Sequence, residues 1–211
     1  MAAKAKSKTD RAAKTNGSRD VRTGRIPPCE GCPPPPEAPE FWVFAYGSLI
    51  WDPGFPFEEA RPARLMGFHR AFCIKSTRYR GTPEKPGLVL GLDKGGSCRG
   101  IAYRVATGSA ERTMAYLWER EMLNSSYHCM DLPVRFADGR EVVARTFVVN
   151  PKAPGYEGKL SMAATAERIR HSTGQRGANR VYLENTVEHL HRLGIQDRRL
   201  AALLAAVKAN A

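Results

Sequence analysis

Long apolar runs are missing from this sequence, and none approaches the roughly 20 residues that a membrane-spanning helix needs. A signal-peptide core is missing too, because residues 1–26 hold only Val21 and Ile26 as large aliphatics. The same stretch is poor in acid, as a transit peptide would be, but it lacks the amphipathic apolar face that mitochondrial targeting requires. Cysteine is scarce: five residues, an odd number, lie scattered along the chain. That excludes a disulfide framework, suits a reducing compartment and leads to an expected cytoplasmic location. Cys29 and Cys32 form a CxxC inside "PPCEGCPPPP", but a zinc ribbon needs a second pair and the sequence has none. The pair reads as an accident of a tail, and no metal site is expected. Cys73, Cys98 and Cys129 fall in periodic segments and read as small buried hydrophobes.

Acid is also in deficit. Against 33 Lys and Arg stand 21 Asp and Glu, a net charge of +12. Part of the excess sits at residues 1–26, where eight basic residues face two aspartates. Such a balance favours acidic partners, either nucleic acid or small anionic metabolites, and says nothing of fold. The chain lacks a recognised DNA-reading motif and an aromatic stripe interleaved with arginine. Nucleic acid is therefore expected only in weak contacts of the basic tail.

What is present organises simply. Residues 1–40 are Lys/Ala/Ser-rich and then Pro-rich, with Pro33 to Pro36 in a row, and read as a disordered tail and stiff linker. A single domain is expected over 41–211. Strand signals are "FWVFAY" (41–46), the second half of 64–76, 87–93 and 98–105. Two more, "DLPVRF" and "EVVARTFVV", flank Ala137-Asp138-Gly139-Arg140, a hairpin turn. Helices are expected at 109–123, 159–172, 179–193 and 197–209, with Ser109, Asn179 and Asp197 as caps and Gly194 as a stop. Strands first and helices last make an α+β fold, not a βαβ repeat.

Two features carry chemistry. On a helix at about 100° per residue, with Met114 at 0°, Leu117 falls near 300°, Trp118 near 40° and Glu121 near 340°. Glu121 thus points along the apolar stripe, while Glu119 and Arg120 fall off it. A carboxyl aimed into apolar surroundings has a raised pKa, which suits a general base or acid near neutrality. The same spacing also suits a carboxylate at the stripe's edge paired with an arginine. The second feature is "FAYGSLIWDPGF" (44–55), a strand that breaks at Gly47-Ser48 and then stays apolar through Ile50 and Trp51. A turn at a strand end exposes backbone N–H groups that can hold a carboxylate or an oxyanion. It also suits a plain tight turn. Ser48 is not read as a nucleophile, since no G-x-S-x-G elbow surrounds it.

Together with "RGTPEKPGLVLGLD" (80–93), "CRGIAYRV" (98–105), "YLWERE" (116–121) and "GANRVYLENTVEHL" (177–190), this stretch resembles the ChaC-type, glutathione-specific γ-glutamylcyclotransferases over roughly residues 41–208. Position 45 is Ala where that pattern more usually has Gly. The resemblance implies a γ-glutamylcyclotransferase-like mixed β-barrel with surrounding helices and a helical C-terminal region. It implies cleavage of glutathione to 5-oxoproline and Cys-Gly without metal or organic cofactor, with Glu121 as the catalytic acid/base. It places Val43, Phe44, Ala45, Tyr46, Gly47, Ser48 and Leu49 in the substrate-binding run. Tyr127 matches a substrate-positioning tyrosine, though a structural tyrosine at the helix end fits as well. Arg80 is a candidate for a glutathione carboxylate or a surface-loop arginine. The 177–190 segment is read as packing, and His171, His189 and His191 as surface or helix-face residues. A cyclotransferase on other γ-glutamyl amides suits the same features.

Overall fold

A computed structural model describes residues 40–122, 125–158 and 160–209. The 1–39 part of the tail, with its CxxC, lies outside the described residues.

Five strands close a barrel in the order β1-β3-β2-β4-β5. Strand β1 (Trp42–Ala45) is buried along its whole length. Its unbroken apolar sequence follows from its neighbours: it pairs antiparallel with β3 (Gly87–Val105) and parallel with β5 (Glu141–Val149), so both of its edges are covered. Strand β2 (Phe57–Ser76) runs antiparallel to β3 for nearly its full length. Strand β4 (Tyr127–Phe136) and β5 form the hairpin expected around Asp138-Gly139.

The long β2–β3 ribbon departs from the sequence reading, which broke β3 at Lys94–Ser97 and began β2 at residue 64. Both strands run through. The apparent break is a corner: Met66 pairs with Ser97 and Phe68 with Lys94, so Gly67 faces Gly95 and Gly96. All three glycines have positive φ, from 71° to 101°, so the ribbon bends there without losing its pairing.

The four expected helices form: α1 (Ala110–Glu121), α2 (Met162–His171), α3 (Asn179–Arg192) and α4 (Arg198–Lys208). Asp197 caps α4 by accepting from the Leu200 N–H at 3.1 Å, and Gly194 ends α3 with φ +67°. Ser109 stands at the start of α1 but makes no side-chain cap bond. Asn179 is not a cap. It is fully buried one residue inside α3, and its amide bonds both backbone groups of Leu88: Nδ2 donates to the Leu88 carbonyl and Oδ1 accepts the Leu88 N–H, each at 2.7 Å. Leu183 and Leu190 of α3, with Leu200, Leu203 and Val207 of α4, join the barrel core, and Ile169 of α2 joins them. No helix among the described residues is long and apolar enough to cross a membrane. Much of the basic surface is matched locally by pairs such as Arg61–Asp138, Arg104–Glu58, Arg135–Glu141 and Arg140–Glu40.

Candidate active site

The strand β1 ends at Ala45, and the chain turns at once into a single 3-10 turn, Ser48–Ile50. The apolar residues after the break are explained by what they meet. Leu49 and Ile50 enter the core, the Tyr103 hydroxyl donates to the Ile50 carbonyl at 2.8 Å, and Trp51 stacks on the His189 ring at 4.7 Å. His189, expected as a surface or helix-face residue, lies on the face of α3 that walls the turn. Pinned at its Ile50–Trp51 end, the turn holds the N–H groups of its first residues, which a helical turn leaves without partners inside itself.

Val43, Phe44 and Ala45 differ from the rest of the expected substrate-binding run. Their side chains are sealed in the barrel, and the Phe44 carbonyl accepts from the Thr146 hydroxyl at 3.0 Å. They carry the turn; Tyr46, Gly47, Ser48 and Leu49 form it.

Glu121 closes α1 with its side chain 17 % exposed. Burial raises its carboxyl above the ordinary value, and the neighbouring Arg120 guanidinium, 3.5 Å away, pulls it partly back. Both sequence expectations for Glu121, an acid in apolar surroundings and an acid beside an arginine, therefore hold at once. Arg120, which the helical wheel set apart from the stripe, reaches across the site. Its guanidinium donates to the Ser48 hydroxyl at 2.8 Å, to the Asp52 carbonyl at 2.9 Å and to the Tyr116 hydroxyl.

Three phenols surround the acid. Burial lifts Tyr46 well above its usual value, with charge on Tyr127 and then on Glu121 adding to the effect. Burial and then Glu121 lift Tyr127 in the same way, and Tyr182 is pushed up to about 12 by the same two causes. All three therefore stay protonated near neutrality. Tyr127 opens β4, not the helix end, and its hydroxyl donates to the Leu90 carbonyl at 2.8 Å. Tyr182, from α3, was missed by the packing reading of 177–190. A Cβ placed on Gly47 would stand 3.8 Å from its hydroxyl, so Tyr182 faces the turn directly. Arg80 completes this side. Its guanidinium lies 5.0 Å over the Tyr182 ring and donates to the Arg176 and Ala178 carbonyls at 2.7 and 3.3 Å. It is half-buried, not a free loop residue.

A buried acid, protonated phenols, a cation and the Ser48–Ile50 turn thus come together at the end of β1. The ChaC-like protein family model matches residues 41–210. The chain belongs to the ChaC-like family. Among its curated relatives, the ChaC-like chain is 39 % identical to the glutathione-specific γ-glutamylcyclotransferase of Escherichia coli over 82 % of this chain and 75 % of that one. It is 32 % identical to human glutathione-specific γ-glutamylcyclotransferase 1, over 79 % of this chain and 78 % of that one. The ChaC-like fold superposes on the crystal structure of a yeast γ-glutamylcyclotransferase specific to glutathione with a TM-score of 0.74, covering 81 % of this chain and 96 % of that one at 24 % identity.

Proposed function

We propose that the protein cleaves glutathione by intramolecular cyclisation, releasing 5-oxoproline and Cys-Gly, with Glu121 as the acid/base. The observation that supports this most strongly is the Glu121 carboxyl, withdrawn from water and linked through Arg120 to the Ser48 turn. The reaction needs little else. The attacking α-amine and the γ-carbonyl belong to one molecule, so the protein has only to hold a folded conformer and move protons.

In the proposed sequence, the Glu121 carboxylate takes a proton from the substrate's α-ammonium group. The freed amine attacks the γ-carbonyl carbon, forming the ring C–N bond, and negative charge gathers on the carbonyl oxygen. The N–H groups opening the Ser48–Ile50 turn face that oxyanion. Glu121, now protonated, passes its proton to the cysteinyl nitrogen as the oxyanion collapses and the old amide bond breaks. The second proton of the ring nitrogen then leaves through the same carboxylate to the released amine, giving a lactam N–H and the Cys-Gly ammonium. The carboxyl finishes ionised, ready for the next substrate. Tyr46 and Tyr182 shape the γ-glutamyl pocket as hydroxyl donors, Tyr127 offers it a hydroxyl oxygen fixed by its own bond to the Leu90 carbonyl, and Arg80 receives a substrate carboxylate. Val43, Phe44 and Ala45 act through the turn they support. We place the reaction in the cytoplasm, where Cys73, Cys98 and Cys129, free in the structure, stay reduced.

The test measures Cys-Gly and 5-oxoproline release from glutathione, in parallel with γ-Glu-Ala and other γ-glutamyl amides. Release from glutathione at a kcat/KM well above the other amides supports the reading. Equal or faster release from the other amides replaces it with a broader cyclotransferase, and release from none overturns it.

A further inference from the structure

A cavity opens outside the residues of the candidate active site. It occupies about 720 Å³ between the β2–β3 ribbon and helices α2 and α4, within the size range of ligand pockets. None of Tyr46–Leu49, Glu121, Tyr127 or Tyr182 lines it.

Its walls are of two kinds. Phe72, Met162, Leu200 and Leu203 supply an apolar surface. Lys94 and Arg199 supply positive charge, and neither pairs with a carboxylate among the described residues. The two aspartates that also line the cavity are both hydrogen-bonded, and Asp197 is paired with a cation. Asp197 accepts from Arg70 at 2.8 Å and caps α4, and Asp93 accepts from the Tyr156 hydroxyl and from the Lys94 N–H. Against Lys94, Arg199 and Arg70 stand Asp93 and Asp197, so the lining keeps a net charge of +1 (three cations less two carboxylates) beside an apolar wall.

Arg70 joins this cavity to the active-site turn. Its side chain is 2 % exposed and every limb is used: Nη1 holds Asp197, Nη2 donates to the Arg99 carbonyl at 2.7 Å, and Nε donates to the carbonyl of Tyr46. A buried guanidinium with all of its geometry committed moves as a unit with its partners. The start of α4, which lines the cavity, is thus linked by one side chain to the residue that opens the turn.

We propose that this cavity is a second ligand site for an organic anion carrying an apolar body, and that its occupancy tightens the Tyr46–Ile50 turn through Arg70. The anionic head pairs with Lys94 and Arg199, and the apolar body lies against Leu200, Leu203 and Phe72. The site and its coupling are independent of which γ-glutamyl compound the enzyme cleaves.

The experiment uses the full chain and two probes: 8-anilinonaphthalene-1-sulfonate, an aromatic anion whose fluorescence reports binding, and octanoate as competitor. Lys94→Glu combined with Arg199→Glu reverses the charge at two exposed positions that make no structural bond through their side chains. Expected are saturable single-site fluorescence, displacement by octanoate, and at least tenfold weaker binding in the double variant. With octanoate at saturation, backbone amide exchange over residues 46–50 slows at least twofold in the wild type and is unchanged in the variant. Non-saturating fluorescence, or equal affinity in the variant, overturns the site. Saturable binding that leaves exchange at 46–50 unaltered overturns the coupling.

Discussion

The Arg120 guanidinium stands 2.8 Å from the Ser48 hydroxyl, joining the last turn of α1 to the turn after β1. The same group lies 3.5 Å from the Glu121 carboxyl, so one cation touches both the acid and the first side chain of the turn. Glu121 is thereby located relative to the turn by its own chain neighbour. Ser48→Ala removes the bond. Loss of a hydrogen bond to a charged partner is worth about 1.5–3 kcal/mol. We expect kcat/KM on glutathione to fall about tenfold or more, with the thermal midpoint lowered by several degrees, as steady-state kinetics beside a melting curve will check.

Glu121→Gln removes the proton carrier and keeps its shape. Turnover is expected to drop by at least about 10²-fold, measured as Cys-Gly release, with circular dichroism unchanged. Stability should move the other way. The folded carboxyl titrates above its ordinary value of 4.5, so between those two values the folded chain holds a proton that the unfolded chain has lost. Stability therefore falls as pH rises through that window, and the deficit is complete above the folded pKa. Glu121→Gln should raise the melting temperature at neutral pH, and the gain should vanish below about pH 4.

The pH profile follows from the same group. Glu121 must be ionised to accept a proton, so kcat/KM falls as pH drops through its raised pKa. Arg120 holds that pKa down. Arg120→Gln should move the acid limb to higher pH as well as lowering the plateau. A variant whose plateau drops while its acid limb stays in place would show that Arg120 acts on the turn alone.

Gly54→Ala tests how the arginine is held. Gly54 has φ +71°, and a Cβ there would stand 2.0 Å from the Tyr116 hydroxyl, which accepts from Arg120. The substitution must strain the loop or displace Tyr116. A stability loss of roughly 1–3 kcal/mol is expected, with a fall in turnover, read by urea unfolding and by the glutathione assay on the same preparation.

Asn179→Ala should be costlier to the fold. It leaves the Leu88 N–H and carbonyl both buried without the amide that satisfies them. At about 1–3 kcal/mol for each orphaned group, a loss of about 2–6 kcal/mol is expected in urea unfolding.

Much of this was legible in the sequence, for identifiable reasons. The Asp197 cap, the Gly194 stop and the Asp138-Gly139 hairpin depend on local backbone chemistry, which a short window contains. Glu121 was legible because helical period fixes direction about one axis. Arg120 was not: a wheel gives the direction of the Cβ, and a long arginine can turn from it to reach a hydroxyl 72 residues away in sequence. Tyr182 lies within a run quoted for its resemblance, but nothing local separates a tyrosine facing a cavity from one packed in a core. Lys94-Gly95-Gly96 looked like a loop because a sheet corner uses loop residues. Asn179 looked like a cap because buried asparagines that serve a distant strand have the same local signature as exposed ones that serve a helix.

The amide of Asn179 stands in for a peptide group, completing β3 at Leu88 as another strand would. Two residues along β3 is Leu90, which receives Tyr127, and three residues along α3 is Tyr182. The separation of Tyr127 from Tyr182 in the proposed site, and with it the calibre of the proposed pocket, is therefore gauged by covalent spacing, two steps on a strand against one turn of a helix. Inserting or deleting a single residue in either interval would change the calibre of the pocket, whereas wide variation on the barrel's outer face would leave it alone.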